Sequence, residues 1–257
     1  MLFAIDAGNT YIAAGGLTGG MPVFTATLST DKNKTGDEYA ILLQNLMEIR
    51  GIDPGDIEGA IISCVVPSLT AKLREAVTQV TGKRPLIVGP GMKTGLNILL
   101  DNPGQMGSDL VSIAVGALGH YALPCVTADM GTATILGVLD AKGNYIGGAI
   151  CPGLPLSLAA LAAGTSQLPN VELTPPGRVI GRSTVECMQS GMLYGFAAML
   201  DGMLDRIEAE LGTPPTVVFT GEHAELMAEL CKREEIVTDS HLILKGLWGI
   251  YERNGKK

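Results

Sequence analysis

The chain is poor in aromatic residues, in basic charge and in paired cysteines, and each shortage removes a class of explanation. Only 4% of its 257 residues are aromatic, with a single tryptophan. The packing must therefore be aliphatic, and 34 glycines add many tight backbone positions. Lys and Arg number 18 against 26 Asp and Glu, a formal net charge of −8. A nucleic-acid surface needs a basic face to displace counterions, and this balance argues against one. It argues equally against a polybasic membrane contact. The five cysteines (Cys64, Cys125, Cys151, Cys187, Cys231) are odd in number and never in C-x-x-C spacing. That speaks against a disulfide framework or structural zinc, and for small buried hydrophobes in a reducing cytosol. His120, His223 and His241 are too dispersed for a metal site. The N-terminus carries no basic n-region, and no apolar run approaches the ~18 residues of a membrane span. The expectation is a soluble cytoplasmic protein with neither nucleic acid nor membrane as partner.

What is present is a 46% hydrophobic chain, long enough for one large domain or two of about 125 residues. Residues 1–6, 11–17 and 22–28 read as an antiparallel strand set joined by tight turns. A helix over 37–49, a buried strand at 60–66, a helix opening at Ser68, a short strand at 85–88 and a helix over 109–120 follow. The pattern then restarts, with strands at 125–129, 135–139 and 145–150 and helical spacing at 159–163 and 184–211. A strand at 216–219 and helices at 222–231 and 244–251 complete it. Met188, Met192, Met199 and Met203 share one helix face, which reads as core or dimer interface.

The restart carries the functional signal. Asp6-Ala7-Gly8-Asn9-Thr10 and Asp129-Met130-Gly131-Thr132-Ala133 each end a first strand and turn into a second. Either turn alone reads as an ordinary hairpin, because Asp, Gly and Asn are the usual turn residues. The pair, at corresponding positions of two similar halves, reads as a duplicated α/β fold that binds phosphate in a cleft between lobes. Glycine admits an oxygen close to backbone N–H groups, Asn and Thr add hydrogen bonds, and the Asp holds a divalent cation through water.

An ordered set of segments resembles the type III pantothenate kinases nearly end to end. It comprises residues 6–10, Ile62-Ser63-Cys64-Val65-Val66-Pro67, residues 89–96 leading to Asp101-Asn102-Pro103, and Gly107-Ser108-Asp109. It continues through residues 129–134, residues 147–154, Leu168-Pro169, Gly181-Arg182-Ser183-Thr184 and Ser190-Gly191. The resemblance implies a duplicated RNase H-like, actin-like ATPase fold, with lobes at 1–118 and 119–257 and the nucleotide between them. It implies an ATP-dependent kinase that phosphorylates pantothenate to 4′-phosphopantothenate at the start of coenzyme A synthesis. Asp109 then matches the base that takes the proton from the pantothenate hydroxyl, although a carboxylate there also serves as a helix-start group. Asp6 matches the magnesium ligand. Gly8, Asn9, Thr10, Gly131 and Thr132 match the ATP contacts. Asp129 matches the residue associated with a required monovalent cation, K⁺ or NH₄⁺. Gly107, Ser108 and Thr184 match pantothenate contacts, with a helix cap the equal alternative for Thr184. The family implies a homodimer.

Four positions depart from the family pattern. Leu110 stands where an arginine follows the base, and Leu100 stands where a tyrosine is common. Gly137 replaces an aspartate, and Glu222 replaces the second glycine of a Thr-Gly-Gly near the nucleotide base. An arginine offers a bidentate fork to a carboxylate such as pantothenate's, and leucine offers none. Two alternatives therefore stand beside the main reading: a kinase of another small alcohol, and a weakly active paralogue acting as a regulatory or heteromeric partner subunit.

Overall fold

The computed structural model describes residues 1–255 and divides into two compact units. The first is Met1–His120 together with the segment from His241 onward, and the second is Tyr121–Ser240. The division does not follow the chain-order split at 118, because the C-terminal helix belongs with the first unit. Residues 256–257, at the end of the expected second lobe, lie outside the described residues.

The first unit is built on strands β1 (Leu2–Ala7), β2 (Tyr11–Thr18), β3 (Met21–Ser29), β4 (Gly59–Cys64) and β5 (Leu86–Ile87), in the order β3-β2-β1-β4-β5. β1–β2 and β2–β3 are antiparallel, and β4 and β5 run parallel to β1. A further two-residue strand is β6 (Asn97–Ile98). The helices are α1 (Gly36–Ile49), α2 (Pro67–Thr81) and α3 (Ser108–His120). Thr35 and Glu38 close a capping box at the start of α1, and Pro67 opens α2 where a missing N–H costs nothing.

Both faces of the central strands β1 and β4 are covered, so these two are buried nearly throughout, whereas the edge strand β3 has exposed positions along its length. Phe3, Ile5 and Ala7 pack with Tyr39, Leu43, Leu69 and Leu73 from α1 and α2. Leu2 and Ala4 point the other way, to Val111 and Val115 of α3 and to Leu244, Leu247 and Ile250 of the C-terminal helix. That stripe of leucines and isoleucine explains why the last helix joins the first unit.

The second unit repeats the plan with β7 (Cys125–Met130), β8 (Ala133–Leu139), β9 (Asn144–Pro152), β10 (Thr216–Gly221) and β11 (Ile236–Thr238). Within the unit the order is β11-β10-β7-β8-β9, the same sequence of first, second, third and later strands as in the first unit. β7–β8–β9 are antiparallel, and β10 and β11 run parallel to β7. Helices α4 (Leu154–Ala163), α5 (Thr184–Leu211) and α6 (Ala224–Leu230) belong here, and α7 (Leu242–Asn254) is the C-terminal helix of the first unit. Val126, Ala128 and Met130 pack against Leu193, Leu200 and Leu204 of α5 and Met227 of α6. Met188 is buried, and Met199 and Met203 pack against this core, so the methionine face is largely interior.

Candidate active site

In the first unit the strand period of two decides which side chains meet. Leu2 and Ala4 face α3, so Asp6 does too; Ile61 faces α3, so Ser63 does too. Asp6 and Ser63 are register partners on the parallel pair β1–β4. α3 starts at Ser108, and Asp109 follows in its first turn. Four polar residues thus converge at the carboxyl ends of β1 and β4.

A chain of hydroxyls links three of them, Asp6, Ser63 and Ser108. Ser63 Oγ and Ser108 Oγ are 3.0 Å apart, and the Cys64 N–H donates to Ser108 Oγ at 3.1 Å. Ser63 is fully buried and also hydrogen-bonds the Asp6 carboxylate. The second Asp6 oxygen, Oδ1, is buried without a hydrogen-bond partner. A stranded acceptor of this kind costs about 1–3 kcal/mol. Burial pushes the Asp6 carboxyl up to about 7; the Ser63 bond opposes the shift and the charge of Asp109 adds to it.

Asp109 is half-buried and accepts the Leu110 N–H at 2.8 Å. Burial raises its carboxyl above the usual range, and the backbone bonds of Leu110 and of Asp109 itself act the other way. It is therefore a helix-start acceptor that keeps an acid–base capacity. Gly107 lies against it, and a Cβ there would make the Asp109 carboxylate shift.

The turn after β1 is closed by the Gly8 N–H donating to Tyr11 O at 2.9 Å. Asn9 and Thr10 are exposed on it. In the second unit the Gly131 N–H donates to Ala133 O at 3.1 Å, and Gly131 and Thr132 are exposed on that turn. Asp129 lies on the sheet face opposite the α5 core, in register with Thr220 of β10. Thr184 opens α5 and is exposed, but the cap is Ser183, whose hydroxyl accepts the Glu186 N–H. The capping reading of Thr184 is thereby removed.

One departure from the family pattern meets a crowded spot in the structure. A Cβ at Gly137 would sit 3.0 Å from Thr127 Oγ1 and 3.1 Å from the Tyr145 ring, so any side chain there would press on both. Leu110 is half-buried, as an apolar side chain at a helix start can be without a partner. Glu222 is exposed.

Sequence reading missed Ser63 and also Thr30, whose hydroxyl donates to Gly8 O at 2.8 Å, as neighbours of these residues. A lone serine inside the apolar run 59–64 was the available signal for the first. Thr30 gave none, because its role depends on where the third strand ends.

Ser63→Ala is expected to disturb the Asp6 side of the site more than the fold. The expected result is a loss in kcat of about tenfold, the scale of one buried hydrogen bond to a charged group, with the melting temperature lowered by a few degrees. Unchanged steady-state kinetics would remove Ser63 from the site.

Among known protein families, residues 2–206 match that of the type III pantothenate kinase. The type III pantothenate kinase of Anaeromyxobacter dehalogenans (strain 2CP-C) is 43% identical over 254 residues, covering 99% of this chain and 100% of that protein. Those of Moorella thermoacetica and Myxococcus xanthus are 41% and 42% identical over the same length, each covering 99% of this chain. Among solved structures, component A of (R)-2-hydroxyglutaryl-CoA dehydratase from Acidaminococcus fermentans matches with TM-score 0.57 and 15% identity over 99% of both chains. A conserved Baf family protein from Campylobacter jejuni matches with TM-score 0.62 and 15% identity over 98% of both. At these identities the structural likeness speaks for the fold, the duplicated α/β architecture of actin-like ATPases and sugar kinases.

Proposed function

Since the chain belongs to the type III pantothenate kinase family, we propose that it transfers the γ-phosphoryl group of ATP to pantothenate. The product is 4′-phosphopantothenate, the first intermediate toward coenzyme A. The observation that supports this most is the pair of carboxylates in the first unit, Asp6 and Asp109, close enough for the charge of Asp109 to act on Asp6 but differently partnered. Asp109 takes the proton of the acceptor hydroxyl, and its raised pKa suits a base working near neutral pH. Gly107 and Ser108 line the acceptor side, with Thr184 a further pantothenate contact. Gly8, Asn9 and Thr10 hold ATP phosphate oxygens from the first unit, and Gly131 and Thr132 from the second.

The residues present fit a magnesium ion. Asp6 Oδ1 is a buried acceptor without a partner, and no group of three or more His, Cys, Asp or Glu side chains among the described residues is arranged as a metal cage. Magnesium keeps several waters and uses one or two carboxylates beside substrate phosphates. Asp6 would hold it, and the bound cation would neutralise phosphate charge. Asp129 would hold the monovalent cation, K⁺ or NH₄⁺. The working form is a cytoplasmic homodimer. Among the described residues no helix is long and apolar enough to cross a membrane.

Leu110 bears on the acceptor. Restoring the fork with Leu110→Arg is expected to lower the KM for pantothenate about tenfold, the scale of a charge-assisted pair, with kcat little changed. An unchanged or higher KM would mean that the carboxylate is anchored elsewhere. Because Leu110 and Leu100 stand where the family pattern has an arginine and a tyrosine, a second acceptor class is tested in the same assay. ADP release is measured with pantothenate and with a panel of small alcohols, K⁺ or NH₄⁺ being supplied. Pantothenate as the preferred acceptor supports the proposal; turnover of another alcohol alone overturns it.

A further inference from the structure

Both glycine turns are held from the same place in the fold. The third strand of each unit ends beside the turn that follows the first strand, and the next residue reaches onto it. In the first unit that residue is Thr30, one position past β3. Its N–H donates to Thr10 O at 2.9 Å, and its hydroxyl donates to Gly8 O at 2.8 Å. One residue therefore spans the turn and binds a carbonyl at each end of it. In the second unit the residue is Gly153, one position past β9, whose N–H donates to Thr132 O at 2.9 Å. No side chain fits there: a Cβ on Gly153 would collide with Gly131 O and lie 2.7 Å from Thr132 O.

We propose that Thr30 and Gly153 are positioning residues that hold the two phosphate turns in the form that admits a nucleotide. The physical need is clear. A turn of glycine and short polar residues has many conformations in isolation, and ordering it on binding would subtract from affinity. The Gly8 and Thr10 carbonyls are thereby occupied by Thr30 and the Gly8 N–H by Tyr11 O, so the turn is fixed at both ends and an anion would be met by its remaining donors. In a chain of net charge −8, with no broad basic surface to attract phosphate, preorganised N–H groups matter more. The two units solve the problem with different chemistry. The first uses a hydroxyl in addition to the backbone, and the second uses a bare backbone pressed against the turn.

The inference rests on the reading of Gly8–Thr10 as an ATP site. It is tested by calorimetric titration of the full-length protein with Mg·ATP, together with steady-state KM values for both substrates. Thr30→Val keeps the shape and removes the hydroxyl. It is expected to raise the Kd and KM for ATP about fivefold to tenfold, the equivalent of one hydrogen bond, with the KM for pantothenate unchanged. Thr30→Ser restores the donor and is expected to bind ATP within twofold of wild type. Gly153→Ala is expected to weaken ATP at least as much as Thr30→Val. Folding is checked by thermal melts; if the valine variant does not fold, Thr30→Ala compared with Thr30→Ser decides the point. ATP affinity equal to wild type in the hydroxyl-free variant, or a parallel rise in both KM values, overturns the clasp while leaving the ATP site in place. Absence of ATP binding by the wild-type protein overturns the site and the clasp together.

Discussion

Asp109→Asn is expected to lower kcat by about 10²–10⁴-fold, the usual contribution of a positioned acid–base group, with ATP binding retained. The asparagine oxygen can still accept the Leu110 N–H that Asp109 accepts at 2.8 Å, so the start of α3 keeps its cap. It cannot accept the hydroxyl proton. The wild-type carboxyl is held above its ordinary range by burial, so the base form is lost earlier on acidification than for an exposed aspartate. The rate should therefore fall on the acid side, and the variant should lose that limb of the pH profile along with its activity. Measured kcat within about tenfold of wild type, short of the ~10²-fold that such a base supplies at the least, would remove Asp109 from the proton transfer.

Asp6→Asn is expected to do two opposite things. Without nucleotide, the wild-type carboxyl is raised from 3.8 to about 7 by burial. A raised carboxyl binds its proton more tightly in the folded state than in the unfolded one. Its favourable contribution is complete below pH 3.8 and is lost as pH rises through about 7. Above that, the folded protein holds an ionised group that would rather be in water, a burden of up to about 4 kcal/mol. The amide variant escapes it. Thermal melts in the absence of ligand should show Asp6→Asn more stable than wild type at pH 8, with the gap narrowing towards pH 4. With Mg·ATP the order should reverse, because the wild type gains a cation at Asp6 and the amide does not. Phosphoryl transfer should fall by several orders of magnitude. A variant less stable than wild type at every pH, or stabilised equally by Mg·ATP, would contradict Asp6 as the cation ligand.

Much of this region was legible before the structure. The two Asp-x-Gly turns, the strand–turn–strand pattern behind each and the restart between halves are local features, written in turn chemistry and periodicity. The antiparallel trio at each N-terminus and α5 at Thr184–Leu211 follow from the same signals. What was not legible depends on packing between distant segments. The first turn of α4 at Leu154 was missed because Pro155 reads as a breaker, although it is well placed at a helix start. The three-residue strand β11 is too short to show a period. The return of α7 to the first unit needs its stripe to find Leu2, Ala4 and α3, which spacing cannot announce. Ser63 and Thr30 meet Asp6 and the Gly8 turn through register and strand ends, and the crowding of Gly137 by Tyr145 comes from eight positions further along the chain.

The central claim is the reaction itself. Purified protein is incubated with ATP, Mg²⁺, pantothenate and either K⁺ or NH₄⁺, and the products are identified by mass spectrometry and ³¹P NMR. The account predicts 4′-phosphopantothenate and ADP in equal amounts, dependent on pantothenate and abolished in Asp109→Asn. ATP left intact, or ADP formed at the same rate without pantothenate, would contradict it.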